Sequence, residues 1–172
     1  GASISCIKDG KCYDTTMGIT PLDGLMMGTR SGSIDPSILE YVCKESGNNI
    51  SEITNELNKK SGLLGISGNS DSRDVESAAA HGDEKAILAL RMYTDRIAKY
   101  IADYYIELNG DVDAIVFTAG VGENGCECRE TIIKKLAPLG LTINEEDAYA
   151  KFSITNRSEK RRVGKECRSR WS

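Results

Sequence analysis

The sequence predicts an α/β fold, on three observations. Ala114–Phe117 is a short apolar run, rich in β-branched and aromatic side chains, as suits a central strand covered on both faces. Gly120-Val121-Gly122 follows it, and a helix is expected from about Glu127 to Leu136, so strand, tight turn and helix N-terminus come in succession. Before them, Asp83–Gly110 carries apolar residues at helical spacing over the longest regular stretch of the chain. A chain of 172 residues is long enough for one domain with a sizeable core.

The elements follow in order. Gly1 opens without a Met, straight into Ala2-Ser3-Ile4-Ser5-Cys6-Ile7, which has the look of a strand interior. The sequence therefore reads as part of something larger, with no signal peptide or anchor. Residues 2–7 alternate, Lys8-Asp9-Gly10-Lys11 is a hairpin turn signal, and Cys12–Thr15 is the return strand. Asp35-Pro36 predicts a helix start, with Asp35 as N-cap and Pro36 at the first helical position. Ile38, Leu39 and Val42 give that helix its apolar face, and Gly47 ends it. A second helix is expected from about Ser51 to Lys60, with Ile53 and Leu57 four apart.

In Asp83–Gly110 the predicted buried stripe is Ile87, Leu90, Thr94, Ile97, Ile101, Tyr104 or Tyr105, and Leu108. About 26 helical residues would span roughly 39 Å. Tyr100, Tyr104 and Tyr105 suit core or subunit contact. Beyond the glycine turn, Pro138-Leu139-Gly140 closes the next helix. Leu141–Ile143 and Phe152–Thr155 are expected strands, with a helical turn at Glu145–Lys151 between them.

Composition excludes several function classes. Net charge is −4, yet residues 161–172 hold five basic side chains against Glu166. The rest carries 17 Lys and Arg against 25 Asp and Glu, an acidic body that argues against nucleic acid as a partner. No run approaches the ~20 apolar residues of a membrane helix. Six cysteines without a C-x-x-C pair, and a single histidine, argue against zinc and for reduced thiols in the cytoplasm. The last twelve residues, with no period and no apolar face, are read as a non-native tail; the alternative is a basic tail for an acidic surface.

Two connections are candidates for function. Thr16–Asp35 has four glycines, three methionines and one arginine, with no sustained period. A loop this long within a compact domain is usually functional or disordered, and its apolar content argues against disorder. Arg30 stands there between glycines and small hydroxyls; it is either a phosphate ligand or a surface side chain on a flexible loop. Gly62–Asp74 is the second connection, polar and glycine-rich. Asp71 or Ser72 caps the helix that follows, or Arg73 and its neighbours face a nucleotide. His81, before Gly82, suits a helix C-terminus better than catalysis. Gly120–Asn124 either makes a simple βα turn or, with the helix N-terminus behind it, seats a nucleotide.

Four segments carry a family resemblance: Gly1–Lys11, Asp14–Pro36, Gly65–Glu76 and Phe117–Gly125. Together, and in this order, they resemble the acetate kinase family, of the acetate and sugar kinase, heat-shock and actin superfamily. The resemblance covers about residues 1–160. It implies phosphoryl transfer between ATP and acetate, giving acetyl phosphate and ADP, with Mg²⁺. It implies a ribonuclease-H-like domain, a mixed sheet flanked by helices, in a cytoplasmic homodimer. Residues 1–160 would be the C-terminal nucleotide-binding domain. By position, Gly1 resembles the last residue of a phosphate-binding His-Leu-Gly-Asn-Gly segment, and Arg30 the arginine that stabilises the transition state. Asp71, Ser72 and Arg73 are similar to a nucleotide-binding triplet, with Ser72 where Phe or Met is usual. Gly120, Val121, Gly122, Glu123 and Asn124 match the adenosine loop, and Pro21 falls in the acetate methyl pocket.

The departures bear on activity. Cys6 replaces a small aliphatic residue, and the family's first half is absent, with its asparagine, arginine, aspartate and histidine. The late glutamate that helps place Mg²⁺ is also absent, so no metal ligand is assigned. The expectation is an acetate kinase parent and a piece that is itself inactive. The alternatives are a propionate or butyrate kinase relative, or a nucleotide-binding or dimerisation module without catalysis.

Overall fold

The computed structural model describes residues 1–119 and 125–141. The chain divides into two compact units, Gly1–Ile97 and Ala98–Ser172. Among the described residues it is a helix-rich α/β structure with one small sheet.

The first unit opens with the expected hairpin. Strands β1 (Ser5–Lys8) and β2 (Lys11–Thr15) pair antiparallel, with Cys6 opposite Asp14, Ile7 opposite Cys12, and a bulge between Cys6 and Ile7. Asp9 and Gly10 both have positive φ, 52° and 72°, as the favoured two-residue hairpin turn requires. Only Cys6 of the eight paired residues of β1 and β2 is buried, so the ribbon lies open to solvent at Ile7 and Tyr13. Thr16 stitches the base, its amide donating to the Ile4 carbonyl at 3.0 Å and its hydroxyl accepting from the Ile4 amide at 3.1 Å.

Helix α1 (Ser37–Ser46) begins one residue later than the sequence predicts, with Pro36 at the cap position. Asp35 still satisfies the helix end, because its Oδ1 accepts from the Ser37 amide at 2.9 Å. Of the predicted apolar face of α1, Leu39 and Val42 are half-buried and Ile38 is exposed; no α1 residue is fully buried. Helix α2 (Ile50–Lys59) starts with a capping box: Asn49 Oδ1 accepts from the Ser51 and Glu52 amides, and Glu52 accepts from the Asn49 amide. Ile53 is the buried anchor of α2.

The connection Gly62–Asp74 is not all loop. Gly62–Ser67 forms a short helix, α3, with Leu63 buried. Glycine-rich composition hid it, because here the glycines serve packing. Gly62 has φ 63°, and a β-carbon on it would lie 2.1 Å from the Met27 carbonyl oxygen. Helix α4 (Ser72–Ala80) follows, anchored by Val75, and His81 caps its C-terminal end, Nδ1 donating to the Ser77 carbonyl at 2.7 Å.

Helix α5 (Glu84–Glu107) runs through the end of the first unit into the second. Asp83 caps its start, Oδ1 accepting from the Ala86 amide at 2.9 Å. Its buried face includes Thr94, Ile97, Ile101 and Tyr104 as predicted, but Ile87 is 48% exposed, and Ala86 and Ala89 take the inner positions. The stripe is rotated by one residue at that end, where alanines permit close approach. Buried Thr94 satisfies its hydroxyl on the Leu90 carbonyl four residues back, at 2.9 Å.

In the second unit α5 ends in a Schellman motif. Asn109, at φ 54°, donates to the Ile106 carbonyl, and Gly110 donates to the Tyr105 carbonyl at 2.8 Å. Both Asn109 and the expected Gly110, at φ 72°, are left-handed. Helix α6 (Cys126–Lys135) buries Ile132 and Ile133, and Ala137–Leu139 makes a 3₁₀ turn closed by Gly140.

The expected central strand is absent among the described residues. Ala114–Phe117 takes part in no ladder among the described residues, and Val116 is 51% exposed. An apolar run records the tendency to be covered, but a strand exists only where neighbouring strands supply hydrogen bonds. The described sheet is the β1–β2 ribbon alone, not a mixed sheet. The strand and turn expected at residues 142–155 and the tail 161–172 lie outside the described residues.

Candidate functional site

The residues picked out in the first unit converge through the Thr16–Asp35 loop. This loop is irregular but packed: Leu25, Met26 and Met27 are buried, each stabilising it by about 1.5–3 kcal/mol relative to exposure. Its far tip is wet at Met17 and Ile19.

Backbone hydrogen bonds hold the stretch around Arg30 on both sides. The Met27 amide donates to the Arg30 carbonyl at 3.0 Å, which closes a tight turn over Gly28 and Thr29. The Leu63 and Leu64 amides, at the start of α3, donate to the Met27 and Gly28 carbonyls at 3.0 and 2.9 Å. The Ser61 amide donates to Thr29, and the Ser31 amide to the Leu57 carbonyl at the end of α2. The orphan amides of a helix start and the carbonyls of an irregular turn thus satisfy one another.

Arg30 is therefore fixed at its backbone, while its half-buried guanidinium reaches Met27 Sδ at 3.6 Å. It lies beside Gly1: a β-carbon on Gly1 would be 3.8 Å from Arg30 Nη1. Two predicted site residues, 29 positions apart, are neighbours.

The Asp71–Arg73 triplet joins through Gly28, where a β-carbon would stand 2.6 Å from the Ser70 carbonyl oxygen. The turn before Arg30 therefore touches the residue before Asp71. Asp71 caps α4, Oδ1 accepting from the Arg73 amide at 2.9 Å. It also takes the Arg73 side chain in a fork, with Nε 3.1 Å from Oδ1 and Nη2 2.7 Å from Oδ2. These bonds hold the Asp71 carboxyl at about 2, down from 3.8, and raise the Arg73 guanidinium above its ordinary value. The Arg73 side chain is 83% exposed, so the fork stands at the surface. Ser72 is the first residue of α4.

Pro21 is exposed in a turn of its own, bounded by the Asp23 amide and the Thr20 carbonyl. Gly120–Asn124 lies outside the described residues; Ala119, just before it, has φ 58°, an uncommon backbone for a residue with a β-carbon. Sequence reasoning missed Arg96. Its Nη1 donates to the carbonyls of Gly24, Ser31 and Ser33, at 3.4, 3.3 and 2.8 Å. Nothing local in the α5 pattern marks it, because its partners lie more than sixty residues earlier.

An arginine beside a glycine backbone, with a second arginine forked on a nearby helix cap, can hold phosphate groups. For a divalent metal, by contrast, no three His, Cys, Asp or Glu side chains gather among the described residues.

The family model of the Acetokinase family matches residues 1–163. The chain belongs to the acetokinase family. Among curated acetokinases, the acetate kinase of Carboxydothermus hydrogenoformans is 53% identical over 146 residues, which are 85% of this chain and 36% of that protein. The acetate kinase of Treponema denticola is 49% identical over 160 residues, 92% of this chain and 40% of that protein. Among solved acetokinase structures, a propionate kinase from Francisella tularensis matches with a TM-score of 0.87 at 48% identity, covering 94% of this chain and 42% of that one. Porphyromonas gingivalis acetate kinase matches at 0.86 and 41% identity, covering 95% and 42%. The chain thus spans well under half the length of these relatives.

Proposed function

We propose that residues 1–160 are the nucleotide-binding domain of a carboxylate kinase that transfers a phosphoryl group between ATP and acetate. The observation that carries this reading is the adjacency of Gly1 and Arg30 within a chain about half identical to acetate kinases. Arg30 faces the transferring group and neutralises charge on its oxygens. Arg73, held by Asp71 at the start of α4, contacts the nucleotide, and Gly120–Asn124 contribute to the same binding. Pro21 borders the acetate methyl group. Bound Mg²⁺ would neutralise phosphate charge; no described residue is assigned to it.

The domain has the ribonuclease-H-like, mixed-sheet architecture of the superfamily in the whole protein, which is a cytoplasmic homodimer. No described helix is long and apolar enough to cross a membrane. Residues 161–172 are a non-native tail. Because the acetate-holding half is not in this chain, the 172 residues alone form no acetyl phosphate. A coupled assay of acetyl phosphate formation tests this: turnover by the chain alone would contradict it. A propionate kinase is the second reading, favoured by the propionate kinase structure among the neighbours.

A further inference from the structure

We propose that Arg96 is a positioning residue that sets the loop bearing Arg30. The proposal rests on Arg30 being the cation that meets the transferring phosphoryl group. Three carbonyl oxygens from both ends of one loop converge on a single nitrogen, Arg96 Nη1: Gly24 at 3.4 Å, Ser31 at 3.3 Å and Ser33 at 2.8 Å. The loop is shaped to admit that nitrogen. A β-carbon on Gly32 would lie 2.6 Å from Arg96 Nη1, so the guanidinium occupies the space a side chain would take.

The same loop ends are tied directly, the Ser33 amide donating to the Gly24 carbonyl at 3.1 Å and the Gly24 amide to Ser33 Oγ at 2.8 Å. Between those ends lie the buried Leu25–Met27 and then Arg30. The α2 and α3 contacts fix the middle of the loop, and Arg96, from α5, fixes its base. Arg96 reaches backbone carbonyls, so its effect on Arg30 is on position and passes through the Ser31–Ser33 chain. Lysine keeps the charge and could donate to the same oxygens, but lacks the planar fork.

The test uses the 172-residue chain labelled with ¹⁵N-arginine, with inorganic phosphate as probe. The Arg30 Nε–Hε signal is assigned by its loss in Arg30→Lys. In Arg96→Ala the Arg30 signal moves, and phosphate saturates it about tenfold more weakly or worse, as expected when a charge-bearing loop is displaced. Arg96→Lys recovers most of both changes. The Arg73 signal stays in place in each variant. A purely structural Arg96 would lower the melting temperature and leave the Arg30 signal of the folded protein where it was. The proposal is overturned if folded Arg96→Ala keeps the Arg30 signal, and keeps phosphate saturation within about twofold of the parent. If alanine does not fold, Arg96→Gln is read by the same criteria. If phosphate leaves the Arg30 signal of the parent chain unmoved, the reading of Arg30 fails. The signal position in the variants then still decides whether Arg96 places that side chain.

Discussion

Arg73 closes on Asp71 through two parallel hydrogen bonds, 3.1 and 2.7 Å long, while its own amide donates a third to the same carboxylate. One aspartate thus caps α4 and orients the guanidinium two residues on. The pH dependence follows. The Asp71 carboxyl sits at about 2 in the folded chain against 3.8 ordinarily, the depressed case. Its contribution is complete above the ordinary value and is lost as pH falls through about 2. A ¹³C titration of the carboxyl is expected to show the low value, and Arg73→Ala to return it toward 3.8. An unchanged titration in the variant would remove the fork as its cause.

The Asn49–Glu52 capping box predicts a local stability effect. Asn49→Ala removes an acceptor shared by two amides and should cost about 1 kcal/mol in urea unfolding. Asn49→Asp or Asn49→Ser should cost much less. Equal loss for all three would mean the side-chain cap contributes nothing.

Two glycines with similar φ separate backbone strain from steric contact. Gly47, at φ 71°, has open space around it, so Gly47→Ala should cost about 1–2 kcal/mol, from the left-handed conformation alone. Gly62, at φ 63°, faces the Met27 carbonyl oxygen at 2.1 Å and the Arg30 carbonyl oxygen at 2.6 Å. Gly62→Ala should cost on the order of 3 kcal/mol or more, at the severe end for single substitutions. Equal unfolding midpoints for the two variants would contradict the tight seat of α3 on the Arg30 loop.

The basic end of the chain gives a fourth expectation. Deleting residues 161–172 leaves the melting temperature unchanged. A clear drop would show that this segment packs on the domain.

What the sequence carried and what it did not divide along physical lines. The hairpin was legible because Asp9-Gly10 states its turn chemistry within two residues. The helix end at Gly47 was legible for the same reason. The Ala114–Phe117 strand was not, since its existence depends on partners elsewhere. The Ile87 error came from ranking side chains by apolarity, where Ala86 and Ala89 face inward by virtue of size. At the site, Arg30 and Asp71–Arg73 stood out by their glycine and cap settings, and Gly1 by family resemblance. Arg96 had no such setting, because its meaning comes only from carbonyls that the fold brings to it.

The central claim is the proposal that this chain binds a nucleotide, with the Asp71–Arg73 triplet and Gly120–Asn124 each contributing to that binding. Calorimetric titration of the 172-residue chain with Mg-ADP tests it most directly, beside Arg73→Ala and Gly122→Val, each shown to be folded by circular dichroism. The account predicts saturable binding that each variant weakens by about tenfold or more, the loss expected of a charge-assisted contact or a close backbone approach. Absence of binding in the folded parent, or binding that neither variant changes, would contradict it.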